Sequence, residues 1–216
     1  MPMENIFITF EGGEGAGKTT QIQMLHDYLS AQGLAVVAVR DPGGTAIAEQ
    51  IRAMVKSNAN ADIYVRTEAL LYLAARCEMV EKLIRPHLSA GRIVLCDRFA
   101  DSTIAYQGFA NGLEVEGLEY IGRFATGDLT PTLTFYLKIS PKDGLLRKTA
   151  QQDLDRVENK GLGYHKKVEE GFEHLAKNNP QRIITIDATL PIDKIHQIIL
   201  KHINGILEEG NYAVNV

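Results

Sequence analysis

The stretch of sequence that decides the fold is residues 12–20, Gly12-Gly13-Glu14-Gly15-Ala16-Gly17-Lys18-Thr19-Thr20. It follows a short apolar run, residues 6–10, and precedes a helical pattern that begins at Ile22. A strand, a glycine-rich loop and a helix joined by G-x-x-x-x-G-K-T form the phosphate-binding P-loop in the context that this motif requires. The sequence therefore predicts that residues 12–20 bind a nucleoside triphosphate.

Each part of this loop has a physical role in phosphate binding. The glycines let backbone N–H groups point inward, and the N-terminus of the following helix adds partial positive charge. The Lys18 ammonium can reach the β- and γ-phosphates, and the Thr19 hydroxyl can hold Mg²⁺. A chance glycine turn before a helix is the competing explanation, and the complete motif with both flanks makes it the weaker one.

Length and composition narrow the class of protein. A chain of 216 residues suits one domain with a sizeable core, and its net charge of −4 offers no overall positive field for nucleic acid. No apolar stretch approaches the ~18 residues that a membrane span needs, so no membrane partner is expected. Cys77 and Cys96 lie in apolar runs without metal-ligand spacing, which indicates reduced thiols in a cytoplasmic protein.

Short apolar runs that predict strands alternate with helical patterns along the chain. The predicted strands are residues 6–10, 34–39, 92–96, 133–137 and 182–186. This alternation predicts an α/β fold, a five-stranded parallel sheet with helices on both faces, in a single domain that covers residues 1–216. Ligands of such sheets bind beyond the carboxyl ends of the strands. The loops selected by that rule are 11–19, 40–45, 97–103 and 187–190.

The longest helical pattern covers residues 67–89, with Thr67 as its expected cap and Pro86 expected to subdivide its last turns. Spacings of three and four residues predict that one stripe of this helix is buried. The stripe comprises Leu70, Leu73, Cys77, Val80, Ile84 and Leu88. Residues 147–163 lack such periodicity and are predicted to form a mobile polar flap.

An acidic and a basic residue, Asp97-Arg98, directly follow the predicted strand at 92–96. An aspartate beside the P-loop strand can support Mg²⁺, and the guanidinium fork of Arg98 fits two phosphate oxygens. The alternative is an aspartate that caps the next helix. The position at the carboxyl edge of the sheet favours the interpretation as a site.

Two further pairs could recognise a second ligand. Tyr72 and Arg76 share a face of the long helix. From such a face an aromatic ring could stack on a base while the guanidinium forms hydrogen bonds to it. Taken alone, such a pair is more often a core aromatic and a solvated arginine. Thr103 and Gln107 share a helical face beside Tyr106, although a half-exposed helix is the commoner explanation.

Several cations lie near the selected loops or in the predicted flap. Scattered surface arginines are the default explanation, but this placement favours contact with phosphate for some of them. The candidates are Arg40, Arg52, Arg147, Lys148 and Arg156.

Four sequence motifs, in matching order and spacing, resemble those of the thymidylate kinase family, of the bacterial type. They are FEGGEGAGKTTQ at 10–21, RDPGGT at 40–45, DRF at 97–99 and STIAYQG at 102–108. The resemblance continues to Asp187-Ala188 and implies a P-loop nucleoside monophosphate kinase-like fold. It also implies transfer of the ATP γ-phosphoryl group to dTMP, giving dTDP and ADP for dTTP synthesis, with Mg²⁺ and in a homodimer.

The resemblance implies roles for the two pairs that could recognise a second ligand. Tyr72 would stack on thymine and Arg76 would contact its carbonyl group. Thr103 and Gln107 would read the edge of the base.

The resemblance also implies contacts with the sugar and the phosphates. Tyr106 would lie where a ribose 2′-hydroxyl would project, and Glu14 near the 3′-hydroxyl. Arg52 and Arg98 would hold the acceptor phosphate. Asp41 would lie between the phosphates and the metal, whose protein ligands would be Thr19 and Asp97.

Three positions outside the flap depart from the usual pattern of this family. Tyr72 stands where phenylalanine is usual, Asp41 where glutamate is usual, and Thr132 follows Pro131 where aspartate is usual. The hydroxyl group of Tyr72 must find water or a partner.

The fourth departure concerns the catalytic cation. The predicted flap contains fewer arginines than the bacterial type usually has, and Gly15 stands where another branch of the family has arginine. The stabilising cation should therefore come from the flap, which leaves Arg147, Lys148 and Arg156.

A phosphate monoester acceptor has a second pKa of about 6 and is already a nucleophilic dianion at neutral pH. No general base is needed, and catalysis must come from positioning and positive charge. Lys18, Arg98 and Mg²⁺ are the groups expected on the transferring phosphoryl, with Arg147 or Arg156 closing over it.

Two alternatives remain at this point. One is a P-loop nucleotide kinase with a different acceptor. The other is a P-loop ATPase switch that hydrolyses its nucleotide with water. The chain has no N-K-x-D motif, which counts against a GTPase.

Overall fold

A computed structural model describes residues 6–149 and 154–209 of the chain. Within these ranges five strands form one sheet in the order β2-β3-β1-β4-β5, and every neighbouring pair is parallel. The strands are β1 (Phe7–Glu11), β2 (Val36–Arg40), β3 (Ile93–Asp97), β4 (Leu133–Lys138) and β5 (Ile183–Asp187). The predicted five-stranded parallel sheet is confirmed.

Helices cover the sheet and connect its strands. They are α1 (Lys18–Ala31), α2 (Ala46–Lys56), α3 (Val65–Met79), α4 (Arg85–Ser89), α5 (Ala100–Thr103), α6 (Val115–Thr126), α7 (Pro141–Thr149), α8 (Leu162–Asn178) and α9 (Ile192–Glu209). π-helical segments at Val80–Ile84 and Ile104–Ala110 extend α3 and α5, and 3₁₀ turns occupy Asn58–Asn60 and Glu158–Lys160. Among the described residues no helix combines the length and apolar character needed to cross a membrane.

Alternating side chains of the central strands supply a core on each face of the sheet. Ile8 and Phe10 pack with residues of α1 and α9, whereas Phe7 points to the opposite face and packs with Met79 and Ile84. A parallel strand buried on both faces is apolar along its whole length, which is why β1 appears in the sequence as a continuous apolar run. Helices on both faces, as predicted, are therefore confirmed.

The predicted helix at 67–89 forms as α3, a π-helical segment and α4, and Pro86 lies at the start of α4 as expected. Two details were wrong. The helix begins at Val65 without a side-chain cap, so Thr67 lies inside its first turn. Leu70 is 60% exposed, whereas Arg76 is only 2% exposed. The helix turns a charged face inward because that face finds buried ionic partners.

The P-loop packs directly against the backbone of α7. Gly15 has a φ of +66°, and a Cβ placed on it would lie 2.1 Å from the Gly144 carbonyl oxygen. A Cβ on Gly144 would in turn lie 2.2 Å from the Glu14 carbonyl oxygen. Such distances are far inside van der Waals contact, so both positions require glycine at this backbone separation. An arginine at position 15 would need α7 to move away.

Part of the predicted flap at 147–163 lies outside the described residues, namely 150–153. The described remainder consists of the end of α7 and the segment 154–161, which leads into α8. This segment packs on α2, where the Arg156 N–H donates to the Lys56 carbonyl oxygen and Lys56 pairs with Asp155 at 2.5 Å. The mobility of the flap stays a prediction.

Candidate active site

A cavity of about 920 Å³ opens at the carboxyl edge of the sheet. All four loops selected from the sequence reach it. They contribute residues 14–19, residues 40–42, Asp97 with Arg98, Ser102 and Thr103, and Ala188 with Leu190. The P-loop shares this cavity with Tyr72 and Arg76 of α3 and with Leu190 and Ile192.

The P-loop is folded around the ammonium group of Lys18. Gly12, Gly15 and Gly17 have φ values of 138°, 66° and 88°, a backbone that side chains rarely adopt. Lys18 Nζ donates to the carbonyl oxygens of Gly12 at 3.2 Å and Gly13 at 2.9 Å. Burial and the charge of Arg98 lower the pKa of Lys18 to about 8. An anion bound in the loop would reverse that effect.

Thr19 and Asp97 meet beside the P-loop, where the Thr19 hydroxyl donates to Asp97 Oδ2 at 2.9 Å. A hydroxyl and a carboxylate are the hard oxygen ligands that Mg²⁺ takes when substrate phosphates complete its coordination. Asp41 Oδ1 is buried nearby in the cavity wall and has no hydrogen-bond partner in the described part of the chain. These oxygens fit Mg²⁺ bound together with phosphate. No cluster of three or more His, Cys, Asp or Glu residues in the described ranges could hold a metal by itself.

Arg98 spans the space between β3 and the P-loop. Its guanidinium donates to the Gly12 carbonyl oxygen at 2.8 Å and to Glu14 Oε1 at 2.7 Å, and it lies 5.0 Å from the centre of the Tyr106 ring. The Tyr106 hydroxyl donates to the same Glu14 oxygen at 2.9 Å. Although burial alone would raise it, the charges of Arg98 and Lys18 lower the pKa of Glu14 to about 2. Arg98, Glu14 and Tyr106 thus form one connected cluster in the cavity wall.

The backbone of Arg98 is in the left-handed region, with a φ of 69°. This conformation costs a residue with a side chain about 1–3 kcal/mol, so it persists only where the surrounding structure fixes the backbone. Glu11 fixes the backbone that follows Arg98. Its carboxylate accepts from the Phe99 N–H at 2.7 Å, the Ser102 N–H at 3.2 Å and the Ser102 hydroxyl at 2.6 Å. Burial, with the nearby charge of Asp101, raises the pKa of Glu11 to about 7.

The part of the cavity wall that contains Arg76 and Thr103 is rich in hydrogen-bond donors. Arg76 donates through Nε to Asp41 Oδ2 at 2.5 Å and through NH1 to the Thr103 hydroxyl at 2.7 Å. Tyr72 is half-buried and lines the same cavity. Burial and the charge of Glu68 raise the pKa of its phenol. A solvated arginine and a core aromatic were the commoner explanations, and the structure has neither.

The five candidate cations have different surroundings. Arg40 pairs with Glu49 at 2.9 Å, and Arg52 donates to the Pro42 carbonyl oxygen at 2.9 Å. Arg40 and Arg52 both line the cavity.

The three cations of the predicted flap are separated from one another. Arg147 donates to the Ala188 carbonyl oxygen at 3.1 Å, and Lys148 lies 3.5 Å from Glu158 Oε1. Both line the cavity. Arg156 is buried against Glu68, with NH2 to Oε2 at 2.5 Å, and donates to the Val55 carbonyl oxygen at 2.7 Å. The charge of Arg156 is thus neutralised by Glu68, and Arg156 does not line the cavity that contains the P-loop.

Sequence reasoning missed two carboxylates that organise the site, Glu11 and Glu68. Glu11 ends β1 directly before the P-loop, and Glu68 precedes an apolar stretch in α3. Their partners are 39 or more positions away in sequence, so neither spacing nor periodicity could identify them. An acidic residue inside an otherwise apolar segment was the available signal.

Comparison with known proteins gives consistent results. A model of the thymidylate kinase family matches residues 10–199. The thymidylate kinase of Bacillus velezensis is 45% identical over 209 residues, covering 96% of this chain and 99% of the relative. That of Symbiobacterium thermophilum is 44% identical over 203 residues and covers 94% of each chain. The crystal structure of thymidylate kinase from Ehrlichia chaffeensis aligns with a TM-score of 0.76 and 32% identity, covering 92% of this chain and 98% of the other.

The lowered pKa of Lys18 predicts that nucleotide binding takes up protons near pH 8. About half of the unliganded molecules then lack the Lys18 proton, and the phosphates of bound MgATP restore it. Calorimetry of MgATP binding in two buffers with different ionisation enthalpies should report uptake of about half a proton at pH 8. At pH 6, where Lys18 is already protonated, this uptake should vanish. Equal uptake by Lys18→Arg at saturating nucleotide would contradict the assignment.

Proposed function

The chain belongs to the thymidylate kinase family, and we propose that it transfers the γ-phosphoryl group of ATP to dTMP, giving dTDP and ADP for dTTP synthesis. The observation that carries this proposal is a single cavity that joins the P-loop to the Arg76–Thr103 edge. A donor nucleotide on the P-loop and a base at that edge would lie in the same enclosure. The two alternatives, another acceptor or hydrolysis by water, have no comparable support in the comparisons.

The main barrier to this reaction is the approach of two anions. The acceptor phosphate is a dianion at neutral pH, with a second pKa of about 6, so no side chain has to remove a proton from it. We assign Arg52 and Arg98 to the acceptor phosphate, and Lys18 and Arg98 to the transferring group. Arg98 suits both tasks because its guanidinium is fixed by Gly12 and Glu14 before substrate arrives.

The metal requirement is proposed from the oxygens beside the P-loop. Thr19 and Asp97 would hold Mg²⁺, with Asp41 between the metal and the phosphates. The bound ion would neutralise charge on the β- and γ-phosphates. Thr19 is the first-turn hydroxyl of α1, so it is fixed by the same helix that carries Lys18.

Recognition of the acceptor is assigned to the part of the cavity wall that contains Tyr72, Arg76 and Thr103. Tyr72 would stack on the thymine ring. Arg76 and Thr103 would contact its O4 oxygen, and Gln107 would contact its N3–H. Arg76 is held for this task by Asp41.

The sugar of the acceptor would lie against Glu14 and Tyr106. Glu14 would accept from the 3′-hydroxyl, and the Tyr106 ring would fill the space of a 2′-hydroxyl. Their mutual hydrogen bond and the contact of both with Arg98 fix them before binding.

The flap at 147–163 remains the proposed source of a further catalytic cation. Of its two arginines, Arg147 needs the smaller rearrangement, because it would give up one bond to a backbone carbonyl group. Arg156 would have to give up both its ion pair with the buried carboxylate of Glu68 and its hydrogen bond to the Val55 carbonyl oxygen.

A homodimer is proposed from an apolar face on three neighbouring helices. Large exposed side chains project from α2, α3 and α6, and α3 packs against the other two. They are Ile47, Met54, Leu70, Tyr120 and Phe124, the last being 87% exposed. An exposed apolar patch of this kind indicates a protein interface.

The cysteines support a reducing compartment. Cys96 is buried, Cys77 is half-buried, and both are free thiols. We assign the protein to the cytoplasm, with nucleotides as its small-molecule partners and no role in nucleic-acid or membrane binding.

The proposed reaction is tested by an acceptor panel. ADP formation from MgATP should be rapid with dTMP and slower with dUMP, which lacks the 5-methyl group. It should be close to background with dGMP or without acceptor. Rapid turnover without acceptor would indicate an ATPase, and a preference for another monophosphate would replace dTMP as the substrate.

Arg98→Ala should lower kcat by ~10³ because the transferring charge loses its fixed guanidinium. ATP should still bind, since Lys18 and the P-loop backbone remain. Arg92→Ala is the matched control, because Arg92 is an exposed residue before the amino end of the same strand, β3. The control should keep kcat within about twofold of wild type. Near-normal turnover of Arg98→Ala would remove Arg98 from the mechanism.

Phe124→Glu should convert the dimer to monomer, since a charge in an apolar interface has no partner there. Light scattering at micromolar protein measures the mass directly. Leu162→Glu, a similar change at an exposed leucine outside this face, should leave the dimer intact. A monomeric wild-type protein would overturn the proposed assembly.

A further inference from the structure

Glu68 is a buried acidic residue on the inward face of α3. None of the catalytic or binding roles proposed above belongs to it. It is 1% exposed. Its Oε1 accepts from Gln107 Nε2 at 2.9 Å and from Asn111 Nδ2 at 2.8 Å. Its Oε2 accepts from Arg156 NH2 at 2.5 Å and from Lys160 Nζ at 3.1 Å. Four donors from two different segments therefore converge on one carboxylate.

These donors keep Glu68 ionised. Burial alone would raise its pKa, but the hydrogen bonds from Gln107 and Arg156 and the charge of Lys160 hold the pKa below its usual value. An ionised carboxylate has no proton to donate and can only accept.

The charge on Glu68 decides which way the amide of Gln107 points. Only the NH₂ group of Gln107 can face an acceptor, so its Oε1 must point away from Glu68. Gln107 is part of the cavity wall. Within the described residues Oε1 has no protein hydrogen-bond partner, and it is not among the buried polar atoms that lack one. The amide oxygen is thus available to a ligand as an acceptor.

The neighbouring groups on this edge are donors. The guanidinium of Arg76 can only donate. Thr103 receives a hydrogen bond from Arg76, so its own hydroxyl proton is free to donate. The edge therefore offers an acceptor at Gln107 beside donors at Arg76 and Thr103. The complementary pyrimidine has an N3–H donor next to an O4 acceptor, which describes thymine and uracil. Cytosine has the reverse pattern, an unprotonated N3 next to an amino group.

We propose that Glu68 determines base specificity as a positioning residue, by locking the Gln107 amide with its oxygen toward the cavity. The lock admits rings that carry N3–H and opposes cytosine. This inference rests on the proposed function and deepens it, because it identifies the residue that fixes the orientation of the Gln107 amide.

The test is Glu68→Gln, assayed for kcat/KM with dTMP, dUMP and dCMP. A glutamine at position 68 can donate as well as accept, so Gln107 can turn over and offer its NH₂ group to the N3 of cytosine. The ratio of kcat/KM for dTMP over dCMP should fall by about tenfold or more. The ratio for dTMP over dUMP should stay unchanged, because both bases carry N3–H and differ only in the methyl group.

Two further variants separate this role from general loss of structure. Asn111→Ala removes another hydrogen bond to the same oxygen of Glu68 without freeing Gln107, and it should leave both ratios unchanged. The exchange variant Glu68→Gln/Gln107→Glu keeps the total charge and puts an acceptor-only group at position 107. It should restore the preference for dTMP over dCMP to within about threefold of wild type.

A structure of the wild-type protein with dTMP provides a measurement that does not depend on a variant folding. Gln107 Oε1 should lie within hydrogen-bond distance of thymine N3, about 2.7–3.2 Å, with Nε2 still on Glu68. A different arrangement overturns the inference even if Glu68→Gln cannot be purified.

The outcomes distinguish the two proposals. If wild type phosphorylates dTMP while Glu68→Gln retains the full preference over dCMP, only the role of Glu68 is overturned. The same holds if Asn111→Ala relaxes specificity equally. If wild type does not phosphorylate dTMP, the proposed function fails and this inference fails with it.

Discussion

The parallel pairing of β1 with β3 is the constraint on which the site depends. In this register Phe10 lies opposite Asp97, and the Arg98 N–H donates to the Phe10 carbonyl oxygen at 3.0 Å. The P-loop and the Asp97-Arg98 pair therefore leave the sheet side by side. A slip of one residue would send these side chains to opposite faces. The contacts of Thr19 with Asp97 and of Arg98 with Glu14 follow from that pairing.

A common electrostatic arrangement recurs in the cavity wall and beside it. Three arginines that are partly or fully buried are each held by a carboxylate: Arg98 by Glu14, Arg76 by Asp41 and Arg156 by Glu68. The carboxylates neutralise part of the positive charge and also fix its direction. A fixed guanidinium does not have to reorganise when substrate charge arrives, which is the basis of electrostatic preorganisation. The cavity thus combines strong local charges with a net charge for the chain of only −4.

Much of the fold could be predicted from the sequence because local patterns carry it. The P-loop motif, the alternation of strands and helices, and the break near Pro86 are all short-range signals, and the structure reproduces each of them. The buried face of α3 could not be predicted in the same way. Leu70 is exposed and Arg76 is buried, the reverse of the expected arrangement. Arg76 can be buried because its charge is neutralised by Asp41, 35 positions away.

The residues of the candidate site also fall into those that local sequence patterns identify and those that they do not. Residues that follow strands or belong to the P-loop were found, because the edge of a parallel sheet gathers them. Glu11 and Glu68 were not, since each acts through partners that only the folded chain brings near. The flap cation is the role for which the sequence left several candidates.

The contact between Gly15 and Gly144 has a consequence for the evolution of the catalytic cation. Each glycine leaves room for a carbonyl oxygen of the other segment, so a side chain at either position is blocked by the backbone across from it. A substitution at either position leaves that backbone in place, so an arginine cannot be accommodated at position 15 while α7 keeps its present position. A lineage that makes this change must first reposition α7, through mutations that bring no catalytic benefit of their own.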